Sequence, residues 1–236
     1  MDVRHTAIDG SGVNFAGPLD LTAPPSSFAY GRSSRGTHEF TGGDGAFAEH
    51  VVQRDQPGFT VLEQYSYQGG ELRLGVDLLV DPDAQTSELR RSAIWRGRVS
   101  SFKFFIHGGE SSDLIAIADL LNISETSDSV VLSPRDASRT PFGSSYRPSG
   151  LFKPLPELGT VDVLPLTSSS ARKIPNWRGQ PVEGGELFRS GQSVEERILF
   201  LLGDTSMTRI YPDDALSDDR AIDLASKLVV SWEDQP

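Results

Sequence analysis

Two of the chain's three tryptophans stand in the same local frame, RRSAIWRG at 90–97 and RKIPNWRG at 172–179. Each frame sets an indole beside a guanidinium, a pair enriched where proteins hold one another tightly. Residues 89–107 carry Arg90, Arg91, Arg96, Arg98 and Lys103 with no acidic residue, and 170–180 carry Arg172, Lys173 and Arg178 with none. Trp95 and Trp177 therefore lie in basic islands of an acidic chain. The acids to match them are at the end: residues 204–236 hold eight Asp/Glu against three Lys/Arg, densest around Asp213, Asp214, Asp218 and Asp219. Such segregation permits head-to-tail association between copies, with charge setting register and on-rate more than affinity. In the plainer alternative each Trp anchors a core and its Arg lies over an aromatic face or reaches to water.

Acid–base chemistry would need histidines or paired carboxylates, and the four histidines (5, 38, 50, 107) all lie in the first 107 residues. FKFFIHGGES (102–111) resembles the oxyanion loop of α/β-hydrolase esterases. No Gly-x-Ser-x-Gly elbow exists and no histidine follows, so the resemblance implies no esterase; a strand, a Gly-Gly turn and a capped helix account for it. LFLLGDTSM (199–207) resembles the Asp-Thr-Gly/Ser loop of aspartic proteases, which needs a second such loop. AIDGSG (7–12) is the one partner available, and a strand ending in an Asp turn is the simpler reading. DPDA (81–84) and DDALSDD (213–219) offer oxygen ligands for calcium, without EF-hand spacing. No phosphate-binding glycine loop is complete, and no metal or cofactor site is expected.

A net charge of −11 disfavours nucleic acid as a partner. The absence of cysteine excludes disulfides, thiolate nucleophiles and zinc fingers. The N-terminus carries no basic segment followed by an apolar run, and the longest apolar block is ILFLL (198–202), far short of a membrane span. A soluble protein located in the cytoplasm or elsewhere inside the cell is the expectation.

The elements that would position these residues are mainly strands. Plentiful Gly (23) and Pro (15) favour turns over long helices. GFTVLEQYSYQGGELRLGVDLLV (58–80) predicts a hairpin around QGG. DPDAQTSELR (81–90) predicts a turn or short helix, and SAIWRGRVSSFKFFIH (92–107) one long β-like run with Gly97 as a bulge. Amphipathic helices are predicted at 111–121 and 217–228, and strands in SVVLS, TVDVLPL, ERILFLLGD and TRIYP. About nine strands and two short helices point to a mainly β (α+β) protein, an antiparallel β-sandwich or jelly-roll-like core. Residues 1–56 are expected as an extended arm or short edge strands. A β-rich globular domain spans 57–236, with a long Pro/Ser/Gly-rich loop or linker at 134–158. GGEL occurs at 69–72 and 184–187, but it precedes the first Trp-Arg-Gly and follows the second, which argues against a simple tandem duplication.

The function expected is a non-enzymatic structural or adaptor subunit, acting by self-assembly as a homo-oligomer or by docking in a larger complex, a profile that viral and phage assembly proteins share. Its interaction residues would be Arg90, Arg91, Trp95, Arg96, Arg98, Arg172, Lys173, Trp177 and Arg178, with Asp213, Asp214, Asp218 and Asp219 as their complement. The alternatives are a hydrolase using paired carboxylates with His50 or His107 as acid/base, or a nucleic-acid binder using the two Trp-Arg-Gly segments.

Overall fold

The computed structural model describes residues 1–32, 39–44, 59–81, 86–98, 100–106, 109–126, 129–136, 149–167, 172, 174–189 and 197–233. They form a mainly β protein with large antiparallel sheets and two short helices, sandwich-like in class. The chain divides into two compact units. Unit 1 takes residues 1–7, 11–25 and 150–236; unit 2 takes 8–10 and 26–149.

Unit 2 is built on a strip of six antiparallel strands. In chain order they are β3 (Ser26–Arg32), β4 (Glu39–Asp44), β5 (Thr60–Tyr67), β6 (Gly70–Asp81), β7 (Thr86–Arg96) and β8 (Ser101–Ile106), and in space β5-β6-β7-β8-β4-β3. Successive side chains point to opposite faces of a strand, so Leu72, Leu74, Ala93, Trp95, Phe102 and Phe104 share one face and are buried. Helix α1 (Ser111–Ala118) adds Leu114, Ile117 and Ala118 to that core, and the hairpin of β9 (Leu121–Glu125) and β10 (Val130–Pro134) adds Leu121, Ile123, Val130 and Leu132. Asp44 binds the strip to the hairpin: its carboxylate accepts from Ser27 N (2.7 Å), Ser27 Oγ (2.9 Å) and Val130 N (3.2 Å).

Unit 1 combines β1 (Asp2–Thr6) and β2 (Gly12–Ala16) with β11 (Gly150–Leu155), β12 (Gly159–Pro165), β13 (Gln180–Val182), β14 (Gly185–Arg189), β15 (Leu199–Leu202), β16 (Ser206–Pro212), α2 (Asp218–Ala225) and β17 (Val229–Glu233). The strip runs β13-β14-β15-β16-β12-β11, and a three-stranded sheet runs β1-β2-β17. Val13, Phe15, Leu151, Val161, Val163, Leu201, Ile210, Leu224, Val230 and Trp232 pack into its core. Ser217 caps α2, its hydroxyl accepting from Arg220 N, and Asp218 and Asp219 in the first turn suit the helix dipole.

Three local expectations are corrected. The run 92–107 is two strands, because Gly97 N bonds Ser100 O (2.9 Å) and turns the chain where a bulge was expected. Residues 86–90 extend β7 rather than forming a turn or helix, since each pairs across to β6 from Asp77 to Asp81. The described residues hold 17 strands where about nine were expected, many being five residues long and too short for alternation to register. Residues 1–32 and 39–44 hold four strands; of the loop expected at 134–158, residues 137–148 lie outside the described residues and Gly150–Leu155 is a strand, β11, rather than loop.

The two sequence echoes fare differently. The two GGEL strings occupy the same place, the turn into β6 and the turn into β14. Leu72 lies opposite Trp95 and Leu187 opposite Leu201, each pair in its unit's core. The two Trp-Arg-Gly frames do not correspond: one ends β7 and the other lies outside any strand.

Candidate functional site

The first basic island is mostly structural. Trp95 is 2% exposed and its Nε1 donates to Tyr67 O (2.9 Å). Gly70 and Gly97 make room for the indole, since a Cβ on either would approach its ring carbons to 2.6 Å. Arg90 is likewise buried, on the opposite face of the strip, where it meets Asp77 from the neighbouring strand (Nη2 to Oδ2, 3.2 Å) and lies 4.1 Å from the centre of the Phe105 ring. Lys103 reaches the same carboxylate at 2.5 Å, and Ser92 Oγ donates to it at 2.9 Å. Burial pushes the Asp77 carboxyl up, but the hydrogen bonds and charges of Lys103 and Arg90 outweigh this and hold it below the ordinary range. Trp95 and Arg90 are therefore corrected from docking residues to interior ones.

The rest of the island divides. Arg91 donates to Gly109 O (2.9 Å) and pairs with Glu110 (3.0 Å), the residue that caps α1. Arg96 is exposed, and Arg98 stands 89% exposed, 3.7 Å from Glu125. Glu125 accepts from Arg98 N (3.1 Å) and Ser100 N (2.7 Å), which fixes the β7–β8 turn.

The second island is at the surface. Trp177 is 47% exposed and its neighbours Arg172 and Arg178 are exposed; Lys173 lies outside the described residues. Gly179 passes against the Phe188 ring, which a Cβ there would approach to 2.9 Å. The acids Asp213, Asp214, Asp218 and Asp219 are all exposed, at and before the start of α2. Asp218 is already engaged by Arg197 at 2.9 Å and Arg189 at 3.9 Å, while Asp213 Oδ1 accepts from Ala215 N. The second island and these acids all belong to unit 1, whereas the first island belongs to unit 2.

His38, His50 and His107 lie outside the described residues, and His5 is buried with its ring edge-on to Phe15. Among the described residues no group of three or more His, Cys, Asp or Glu is placed to hold a metal ion. The Asp-Thr-Ser string serves the fold: Asp204 is exposed in the β15–β16 turn, Thr205 Oγ1 accepts from Trp232 N (2.9 Å), and Ser206 Oγ donates to Val230 O (2.8 Å).

The residues sequence reasoning missed are on β5. This strand ends the unit 2 strip, and seven of its eight residues are exposed, among them Val61 (43%), Leu62 (52%) and Tyr65 (40%). Leu78 and Leu89, cross-strand partners in the β6–β7 hairpin, are exposed too. The only ionisable groups on β5 besides its tyrosines belong to Glu63, which accepts a hydrogen bond from the Tyr65 hydroxyl. The hairpin is legible in the sequence; that one of its strands ends a sheet is decided by pairings many residues away. Among the described residues no helix is long and apolar enough to cross a membrane. Set against known protein families, curated proteins and solved structures, the chain matches none of them.

Proposed function

We propose that the chain is a non-enzymatic structural or adaptor subunit that docks on copies of itself. The observation that carries this reading is β5. An open sheet edge presents a row of unpaired backbone groups, and proteins that stay monomeric usually guard it with Pro, Lys or a very short strand. The matching edge of unit 1, β13, is guarded in this way: three residues long, with Pro181 in the middle. By contrast β5 is eight residues long, has neither Pro nor Lys, and exposes apolar side chains.

A second copy's β5 is the occupant that fits. The shift in register between Val61 and Glu63 leaves Glu63–Tyr67 as the regular stretch. Antiparallel pairing about its middle sets Tyr65 beside Tyr65 and Gln64 beside Ser66. Glu63 is the strand's only carboxylate, so two copies of net charge −11 approach here with little local repulsion. A twofold contact uses the same patch on both partners and closes on itself.

A different observation supports the second reading, head-to-tail docking of Arg172, Trp177 and Arg178 on the acids near α2: Trp177 is 47% exposed between two exposed arginines. Salt separates the two. Light scattering at about 0.05 M and about 0.5 M salt compares weak with strong screening. Edge pairing predicts a mass above one chain at both, reduced to one chain by Tyr65→Lys with the far-ultraviolet spectrum unchanged. Charge docking predicts a mass that falls at high salt and is lost in Arg178→Glu. A single-chain mass under every condition sinks the self-association reading.

A further inference from the structure

The strands fall into two runs of one design. Among the described residues, β2 to β9 are eight strands with a helix before the last, and β10 to β17 are again eight with a helix before the last. Advancing each label by eight turns the unit 2 strip, β5-β6-β7-β8-β4-β3, into the unit 1 strip, β13-β14-β15-β16-β12-β11. All five neighbour pairings in each strip are antiparallel. Finer detail agrees. The β7–β8 turn is closed by Gly97 N to Ser100 O and the β15–β16 turn by Gly203 N to Ser206 O. Both helices are eight residues long and bury the same three positions, Leu114, Ile117 and Ala118 in one and Ala221, Leu224 and Ala225 in the other. Leu121 and Leu228 follow at equal distance, each fully buried.

The two runs differ in how they end. In unit 2, β9 pairs with the next strand in the chain, β10, with Glu125 opposite Val130 and Thr126 N bonded to Ser129 O. In unit 1, β17 also ends on a glutamate, Glu233, which lies opposite Gly12. The strand beside it is β2, from the far end of the chain. We infer that the chain is an internal duplication whose second half is completed by β2, the first strand of the first run, so that unit 1 is a receptor for an extended segment and residues 12–16 are the ligand it holds. The slot has a definable chemistry. Val13 and Phe15, both fully buried, fill the core, while Asn14 between them turns outward and donates to Ser231 Oγ (3.4 Å) and Glu233 Oε1 (2.9 Å). It takes a strand that alternates apolar and polar and places an aromatic ring in the core to which α2 and the strip also contribute.

The test keeps the full chain intact and offers the slot a rival. Residues 234–236 are replaced by a copy of Thr126–Ser129 followed by a copy of Gly12–Ala16, the connection that unit 2 uses. Ser231→Cys is combined with a cysteine at the copy of Asn14; the chain has no other cysteine, so a cross-link has one meaning. The short connection raises the rival's effective concentration, so it should be cross-linked in roughly a tenth of chains or more. Replacing the copy of Phe15 by aspartate should abolish the cross-link. No cross-link, or equal cross-linking with and without the aspartate, overturns the inference. Asn14→Cys with Ser231→Cys in the unextended chain verifies that the geometry supports the bond.

Discussion

At the scale of residues, the two Trp-Arg-Gly frames separate into opposite fates. Trp95 is enclosed by two glycines and a backbone acceptor, and truncating so large a buried side chain costs about 3–5 kcal/mol. Trp95→Ala should lower the urea midpoint of unfolding accordingly, whereas Trp177→Ala, at a half-exposed position, should shift stability by no more than about 0.5 kcal/mol. Asp44 makes a second residue-level prediction. Burial raises its carboxyl above the ordinary 3.8, and the hydrogen bonds from Ser27 and Val130 only partly oppose this. The folded chain therefore keeps a proton that the unfolded chain gives up, so the Asp44 contribution falls as pH rises from about 4 through the raised value. Asp44→Asn should flatten that part of the profile, and the native chain should lose stability relative to the variant as pH rises above about 4. An unchanged difference between the two proteins across that range would mean that Asp44 does not titrate there. Lys153 is a buried cation that nothing local in the sequence marks: fully enclosed, it donates to Ala23 O, and burial holds it below the usual lysine range.

At the scale of elements, the sequence is most informative where a signal is local. Both helices are legible from a polar cap followed by apolar spacing, and the QGG hairpin from turn chemistry between two β-rich runs. The cap on α2 is testable: Ser217→Ala removes the acceptor for Arg220 N and should cost about 1 kcal/mol, read as a lower thermal midpoint. Strand number was underestimated because a five-residue strand such as β1 or β9 offers only two or three inward positions. Trp95 was readable as a core residue or a surface one, since alternation gives two faces without naming the wet one. Asp77 and Lys103 meet although they are 26 residues apart, and no spacing rule reports such a pair. The open edge at β5 escaped for the same reason, because an edge is defined by a neighbour that the described residues do not supply.

For the whole molecule, the division into two units was hidden by a coincidence. Setting the two GGEL strings beside the two Trp-Arg-Gly frames gives an order that cannot be a tandem repeat, and the frames were the misleading half of that comparison. What the halves share is pairing order and buried positions, carried by residues as different as Trp95 and Leu201. Apolar identity survives in such a comparison while residue identity does not, so the likeness is written in the fold and barely in the letters. The expectation of a sheet-dominated protein needed only composition and turn residues; the strip orders needed every non-local contact. The same likeness gives β5 its meaning, since a guarded edge on one unit makes the unguarded edge on the other a difference between equals.

The three tryptophans give the molecule an optical map of itself. Trp95 lies in the core of unit 2, Trp232 in the core of unit 1, and Trp177 half-exposed at the surface. Chains keeping one indole each would let fluorescence follow either unit, or the second basic island, without an added dye. Iodide should quench Trp177 and spare the other two, and any partner that covers the second island would announce itself by shielding that one emission.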